Sequence, residues 1–295
     1  MPKQTATKVV FDTREDWLEA RRGGIGGSDA AAIIGADQYK SALEVYADKL
    51  GLTDGKEDTE AMAWGRRLEP LVAEAYSEET KRALIDHGVH FFQSDQHPFL
   101  RASVDRDIVS PVGILSIKTS SYLAEKDLAE GMPLAWQVQL QHEMMVRGIE
   151  LGGFAVLLKG QRLRWVDAEA NKDFQEALFE KEETFWKSIL DREPPPPGAS
   201  ESATKTLKKL YPKDSGSTIR LPAAALDWDE RRQKAAAEIK KWEEIRNEAE
   251  NSIEAAMGEA TFGTVEGVKY SWRWQKRAAY EVAESEARIL RRSVK

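Results

Sequence analysis

Two spacings of hydrophobic residues alternate along this chain. A repeat of three or four residues is typical of amphipathic helices, and a repeat of two is typical of half-buried strands. Helical spacing occurs in five segments, 12–22, 41–50, 59–76, 133–147 and 168–190. Strand-like runs occur in three segments, 89–94, 102–120 and 153–166. Interleaved helices and strands predict a mixed α+β (α/β) fold, in which helices flank a central mixed β-sheet.

A run of four prolines at 194–197 interrupts this pattern. Proline has no backbone N–H and cannot continue a helix or a central strand, so a proline run acts as a semi-rigid spacer. We therefore predict a first domain over residues 1–192, a linker over 193–200 and an accessory region over 201–295.

The accessory region is predicted to contain a long charged helix, a β-hairpin and a basic final helix. These three elements cover 221–258, 261–275 and 284–292. Aromatic residues of the hairpin alternate with polar and basic ones, at Tyr270, Trp272 and Trp274. Such a row can stack on nucleic-acid bases, but packing against the long helix is the favoured interpretation.

The segment 102–120 contains the strongest candidate chemistry, because it is predicted to form two strands joined by a Pro-Val-Gly turn. Residues two apart on a strand share a face, so Asp105 is expected to point with Asp107. Ser116 likewise shares a face with Lys118. Carboxylates beside a lysine can hold a divalent cation and orient the water that attacks a phosphodiester. The competing interpretation is an ordinary solvent-exposed hairpin.

Two earlier segments offer further candidate groups. The glycine-rich stretch 23–28 ends at Ser28, where a helix N-cap belongs, and a helix N-terminus can bind phosphate. If the stretch is taken alone, an ordinary glycine-rich loop with a serine cap is the favoured interpretation, and the stretch lacks the order of a nucleotide-binding Walker A loop. On the predicted helix 59–76, Gly65 lies one turn before Glu69 and leaves room there for a ligand or another backbone. Without Gly65 beside it, Glu69 would be interpreted as an ordinary solvent-exposed glutamate.

The composition excludes several kinds of metal site and catalytic residue. The chain has no cysteine, which excludes disulfides, thiolate zinc sites, iron–sulfur clusters and cysteine nucleophiles. With four histidines, any metal is expected to be a hard cation on oxygen ligands. The net charge of −7 argues against a general nucleic-acid coat but permits a local basic groove. No apolar run approaches the about 18 residues of a membrane span, so a soluble, cytoplasmic protein without membrane contact is expected.

Taken in order, these motifs resemble the lambda-exonuclease/YqaJ-type family of phage recombination nucleases, which belong to the PD-(D/E)xK superfamily. The resemblance runs from about Trp17 to Leu190 and implies a PD-(D/E)xK nuclease core. It implies that Arg21 and Ser28 hold a DNA 5′-phosphate. The metal ligands implied by the resemblance are the carboxylates of Glu69 and Asp105 and the backbone carbonyl of Ile117. Lys118 matches the catalytic lysine, and Gln137, in the motif Gln137-Val-Gln139, matches the active-site glutamine.

One catalytic position departs from the family pattern, which has Glu or Asp two residues before the lysine. This chain has Ser116 there, so a neutral hydroxyl replaces a charged metal ligand. Three explanations stay open. Asp107 supplies the missing charge as an additional metal ligand, or the site works with serine, or the chain binds DNA without cutting it. The presence of Glu69, Asp105 and Lys118 favours a working nuclease.

The function that the resemblance implies is a Mg²⁺-dependent (or Mn²⁺-dependent) exonuclease using two ions. It would degrade linear double-stranded DNA in the 5′→3′ direction during phage-type homologous recombination. The resemblance also implies a homo-oligomer, specifically a trimeric ring, a single-strand annealing protein as partner, and a cytoplasmic location in a bacterial or phage-infected cell. The alternatives are a nuclease-impaired DNA-binding member of the family and a purely structural scaffold.

Overall fold

A five-stranded mixed sheet lies at the centre of the first of two structural units, Met1–Pro212 and Lys213–Lys295. This computed structural model describes residues 5–53, 58–276, 278, 284, 286 and 288–293. The helices of the first unit are α1 Arg14–Arg21, α2 Gly27–Ile33, α3 Ala42–Lys49, α4 Glu60–Thr80, α5 Glu125–Ala129, α6 Leu134–Arg147, α7 Lys172–Leu190 and α8 Glu201–Leu210. Its strands are β1 Ala6–Val10, β2 Leu84–Ile85, β3 His90–Ser94, β4 Arg101–Ala102, β5 Arg106–Ile108, β6 Gly113–Ser120, β7 Leu151–Leu158 and β8 Arg162–Glu169.

The central sheet has the strand order β2-β5-β6-β7-β8. Strands β6 and β7 are parallel, and the other neighbours are antiparallel. Parallel neighbours need a long crossover, which helix α6 provides, whereas antiparallel β5 and β6 need only a short turn. A separate antiparallel sheet has the order β1-β3-β4. The mixed sheet flanked by helices confirms the predicted fold class.

Alternate residues of β6 pack on opposite faces of the sheet. Leu115 and Ile117 lie in a core cluster with Val72 and Tyr76 of α4. Ile114 lies in a different cluster, with Leu140 and Met144 of α6. Helices α4 and α6 therefore cover opposite faces. The even-numbered positions of β6, which include the candidate site residues, face α6.

Side-chain caps begin several of these helices where the sequence places a short polar residue. The cap residues Thr13, Ser41, Thr59 and Asn171 each accept a hydrogen bond from the backbone N–H three residues later. Helix α6 ends at Gly148, whose φ of 62° is the left-handed conformation that glycine adopts without strain.

The boundary between the two units differs from the predicted one. Helix α8 follows the proline run but belongs to the first unit, where it packs against α3. Ser202 on α8 donates a hydrogen bond to the Glu44 carboxylate and accepts one from the backbone N–H of Ser41. These contacts attach α8 to the first unit, which therefore extends to Pro212.

The second unit contains helix α9 Ala225–Met257 and an antiparallel hairpin of β9 Phe262–Val265 and β10 Val268–Ser271. The turn lies at Glu266 and Gly267, as predicted, and both have positive φ. Trp272 and Trp274 follow β10 with 48% and 86% of their surface exposed, so the favoured packing of these tryptophans against the long helix is wrong. The predicted final helix 284–292 lies partly outside the described residues, and those described there are not helical. Among the helices of the described residues, none has the length and apolar character to cross a bilayer.

Candidate active site

The β5–β6 hairpin holds the first candidate carboxylate. In the antiparallel register Arg106 pairs with Leu115, so Asp105 lies immediately before β5. The Oδ2 atom of Asp105 accepts a hydrogen bond from the backbone N–H of Ile117, at 2.6 Å. Burial raises the pKa of Asp105, and the charge of Lys118 opposes that rise. The hydrogen bond thus holds the Asp105 carboxylate near Lys118.

A chain of polar side chains joins Lys118 to helix α6. Lys118 Nζ donates to Gln139 Oε1 at 3.0 Å, and Gln139 Nε2 donates to Glu143 Oε1 at 2.8 Å. The amide is therefore oriented by charge, with its oxygen toward an ammonium and its nitrogen toward a carboxylate. Burial raises the pKa of Glu143 to about 7 against the opposing charge of Lys118, and the charge of Asp105 adds to the rise.

Gln139, and not the expected Gln137, lies against Lys118. Gln137 Nε2 instead donates to the backbone carbonyl of Met132, at 2.6 Å, and holds the loop that precedes α6. Residues two apart on a helix point in different directions, because one turn takes 3.6 residues. Glu143 lies one turn after Gln139 on the same face, a spacing of four that the sequence displays and that sequence reasoning missed.

Glu69 of α4 approaches the site from the opposite face of the sheet. Arg106 Nη1 donates to Glu69 Oε1 at 2.7 Å and also to the backbone carbonyl of Asp105. Burial raises the pKa of Glu69, the charge of Asp105 adds to this effect, and the hydrogen bond from Arg106 counteracts it. The structure thus brings Glu69 and Asp105 near each other, with the Arg106 guanidinium contacting both residues. No sequence pattern had singled out Arg106.

Asp107 lies apart from this cluster, in an ion pair of its own. Both Arg147 terminal nitrogens donate to its carboxylate at 2.9 Å, and His87 Nε2 lies 2.9 Å from Oδ2. Although burial opposes the change, the hydrogen bonds from Arg147 and His87 lower the pKa of Asp107. The expectation that Asp107 shares a face with Asp105 fails because Asp105 precedes β5, where strand alternation does not apply. The structure therefore does not place Asp107 as a replacement ligand.

Ser116 is buried, with 2% of its surface exposed, on the face of β6 that packs against α6. Its Oγ atom has no hydrogen-bond partner among the residues that the structure describes. A buried hydroxyl without a partner is costly, so such an atom calls for an explanation. Ile117, next to it, presents its N–H to Asp105.

The expected phosphate-binding pair, Arg21 and Ser28, is brought together next to a buried acid. Arg21 Nη2 donates to Ser28 Oγ at 2.6 Å and to Asp29 Oδ1 at 3.2 Å. Lys40 and Lys49 each place Nζ 2.7 Å from the Asp29 carboxylate. Burial opposes ionisation, but the charges of Lys40, Arg21 and Lys49 hold the pKa of Asp29 well below its ordinary value. Three cations around one carboxylate leave a net positive charge, and the sequence carried no signal for the two lysines.

The oxygen-rich donor set fits a hard divalent cation. Its members are carboxylate, amide and hydroxyl oxygens, on Asp105, Glu69, Glu143, Gln139 and Ser116. Within the described part of the chain, no three His, Cys, Asp or Glu side chains converge closely enough to hold a metal by themselves. Mg²⁺ commonly uses one or two carboxylates and takes its remaining oxygens from water and substrate phosphates. The site meets that weaker requirement.

Comparisons with known proteins identify the family of the chain and relatives of its fold. Residues 16–150 match the YqaJ-like viral recombinase domain family. The chain is 31% identical to "Uncharacterized protein YqaJ" of Bacillus subtilis (strain 168), in a match that covers 88% of this chain and 83% of that protein. It also resembles the crystal structure of an alkaline exonuclease, LHK-Exo, from Laribacter hongkongensis, with a TM-score of 0.52, 17% identity, and coverage of 61% of this chain and 94% of the other. A crystal structure of LHK-Exo in complex with dAMP matches over the same shares, with 18% identity and a TM-score of 0.52.

Proposed function

Because this chain belongs to the YqaJ-like viral recombinase family, we propose that it is a metal-dependent exonuclease that hydrolyses linear double-stranded DNA in phage-type recombination. The observation that carries the proposal is the cluster in which Lys118 lies beside Asp105 and is held by Gln139. A protein of the same fold that is an alkaline exonuclease, and that binds dAMP, supports a DNA substrate.

Each side chain of the cluster has a specific task in this mechanism. Asp105 and Glu69 would hold the cation, which would supply Lewis-acid polarisation of the scissile phosphate. Lys118 has three N–H donors, and Gln139 accepts one of them, so the others can orient an attacking water or a phosphate oxygen. Arg106 holds Glu69 and the Asp105 backbone in place. The identity of the ion as Mg²⁺ or Mn²⁺, the use of two ions and ligation by the Ile117 carbonyl stay predictions.

Arg21 and Ser28 are proposed to anchor the 5′-phosphate, so that digestion proceeds 5′→3′. Two observations support this role. The Arg21 side chain is partly exposed, at 27%. The three positive charges of Arg21, Lys40 and Lys49 outnumber the single negative charge of Asp29. Arg guanidinium is well suited to bidentate phosphate contacts. A trimeric ring, a single-strand annealing partner and a cytoplasmic location stay predictions from the family resemblance.

A digestion assay tests the proposal. The protein is incubated with linear duplex DNA and Mg²⁺, with matched 5′-phosphate and 5′-hydroxyl ends, and released mononucleotides are measured. We expect faster digestion from the phosphorylated ends. Lys118→Ala should lower the rate by at least about 100-fold, the scale of a positioned proton-transfer or orienting group, while DNA affinity stays within a few fold. Lys172→Ala, which removes an exposed lysine paired with Glu150, is the matched control and should digest like the parent.

The second candidate function is a DNA-binding protein without nuclease activity, which the neutral Ser116 favours. The same assay separates the two. A parent protein that shifts the mobility of linear DNA but releases no mononucleotides with Mg²⁺ or Mn²⁺ would contradict the nuclease proposal.

A further inference from the structure

Glu143 is a buried carboxylate that the family motifs leave without a role. Only 3% of its surface is exposed, and one of its oxygens accepts a hydrogen bond from Gln139 at 2.8 Å. A buried carboxylate is costly unless it is compensated by a cation or by several hydrogen bonds. Glu143 interacts with the charges of Asp105 and Lys118, so it belongs spatially to the active-site cluster.

The path of the chain places Glu143 on the helix that covers the Ser116 face of the sheet. Strands β6 and β7 are parallel, so the connecting helix α6 runs antiparallel to β6. Gln139 lies against Lys118, near one end of this packed pair of elements. One residue beyond Glu143, Met144 lies against Gly152, the strand β7 partner of Ile114.

Leu140, one residue after Gln139, also lies against Gly152, so the segment 139–144 of α6 packs over the segment 114–118 of β6. Ser116 lies within that segment of β6, on the face toward α6, and Glu143 lies within the facing segment of α6. The two side chains therefore share this level of the interface between helix and sheet.

The unpartnered Ser116 hydroxyl is an independent sign that something is bound at this level. It is buried, and its Oγ atom has no hydrogen-bond partner among the described residues. A cation with its water shell would satisfy this oxygen. Helix α2 closes the same region, since a β-carbon on Gly27 would lie 2.8 Å from Glu143 Oε1.

We propose that Glu143, from helix α6, supplies the metal-binding carboxylate that strand β6 lacks at Ser116. In this arrangement the carboxylate comes from the facing helix instead of the strand, and it acts together with Asp105 and Lys118. This inference rests on the proposed nuclease function, and it explains how the site retains its negative charge with serine in the motif.

Metal binding by the full-length protein tests the proposal without depending on catalysis. Mn²⁺ is titrated by calorimetry into the metal-free parent and into three variants, Glu143→Gln, Ser116→Glu and the double variant with both changes. Glutamine keeps the shape of Glu143 and an oxygen for the Gln139 hydrogen bond. Glu150→Gln, an exposed acid just beyond α6, is the matched control. Circular dichroism and thermal melts without metal verify that each variant is folded.

We expect Glu143→Gln to weaken Mn²⁺ binding by at least about 10-fold, the lower range seen when a metal site loses even a supporting group. The double variant should regain affinity to within a few fold of the parent, because Ser116→Glu returns the carboxylate from the strand. Ser116→Glu alone should gain little, since Glu143 already fills the role. The Glu150→Gln control should bind like the parent.

Two results would overturn the inference. Glu143→Gln could bind Mn²⁺ like the parent and the control, or the double variant could stay as weak as Glu143→Gln. The second result would mean that Glu143 only positions Gln139. If Glu143→Gln does not fold, the single variant Ser116→Glu tests the inference instead. A 10-fold tightening of its Mn²⁺ binding over the parent would show that no carboxylate of the parent fills the position of the missing motif acid. A parent that binds Mn²⁺ but digests no DNA refutes the proposed function and leaves these comparisons valid.

Discussion

The pair of His142 and Glu182 joins helix α6 to helix α7 and allows one prediction to be worked out in detail. Both side chains are fully buried, and His142 Nδ1 lies 2.6 Å from Glu182 Oε1. The other ring nitrogen, Nε2, lies 2.9 Å from the backbone carbonyl of Arg101. Both nitrogens therefore face acceptors. Only the protonated imidazolium has two N–H donors, so it is the form that can donate to both the Glu182 carboxylate and the Arg101 carbonyl.

The strength of this pair can be estimated from the pKa of His142. Burial alone would lower it, but the charge and hydrogen bond of Glu182 and the Arg101 carbonyl raise it from 6.5 to about 9. At about 1.4 kcal/mol for each pH unit, the rise corresponds to about 3 kcal/mol of folding stability. A raised pKa in the folded state means that this stability is fully present below pH 6.5. It is lost as the pH rises through about 9.

The perturbation is Glu182→Gln, compared with the parent by urea unfolding in the presence of a chelator. Between about pH 6 and about pH 9.5, the parent should lose about 3 kcal/mol more unfolding free energy than the variant, because the variant lacks the charge that raises the pKa. Titrations of other groups are shared by both proteins and cancel in the difference. Parallel curves for parent and variant would refute the reasoning, as would an NMR signal of neutral His142 at pH 7.

Two further predictions concern the helix that carries the site. Gln139→Ala should slow mononucleotide release by about 100-fold, because Lys118 would lose the hydrogen bond that positions it. Gln137→Ala should mainly lower thermal stability. Equal rate losses in the two variants would contradict the assignment of Gln139 as the active-site glutamine. Gly27→Ala should destabilise the protein by about 1–3 kcal/mol in urea unfolding, because its new β-carbon would lie 2.8 Å from Gln139 Cγ. Gly65→Ala is the matched control, since its β-carbon would lie at an ordinary 3.7 Å from Thr119 Oγ1, and it should be as stable as the parent or more so; the same loss in both variants would argue against a steric cause.

Local sequence signals were sufficient for the overall fold class and for most of the longer elements. Hydrophobic periodicity located the longer helices and the hairpins, and two predicted helices begin at Ser41 and Thr59, which are side-chain caps in the structure. The ordered motifs around Asp105 and Lys118 pointed to the YqaJ-type family, which the sequence comparison confirms. Helix and strand positions and short motifs each depend on residues within a few positions of one another, so they can be read from the sequence without the tertiary structure.

The composition of the candidate site was decided by tertiary structure. The spacing rules fix which residues of one helix or strand share a face, but not which face meets a second element. The crossover from β6 to β7 through α6 brought Gln139 and Glu143 to Lys118. Asp105 lies one position before β5, and for that reason its side chain does not share a face with that of Asp107. A contact between distant segments depends on how their elements pack, and no local pattern contains that information.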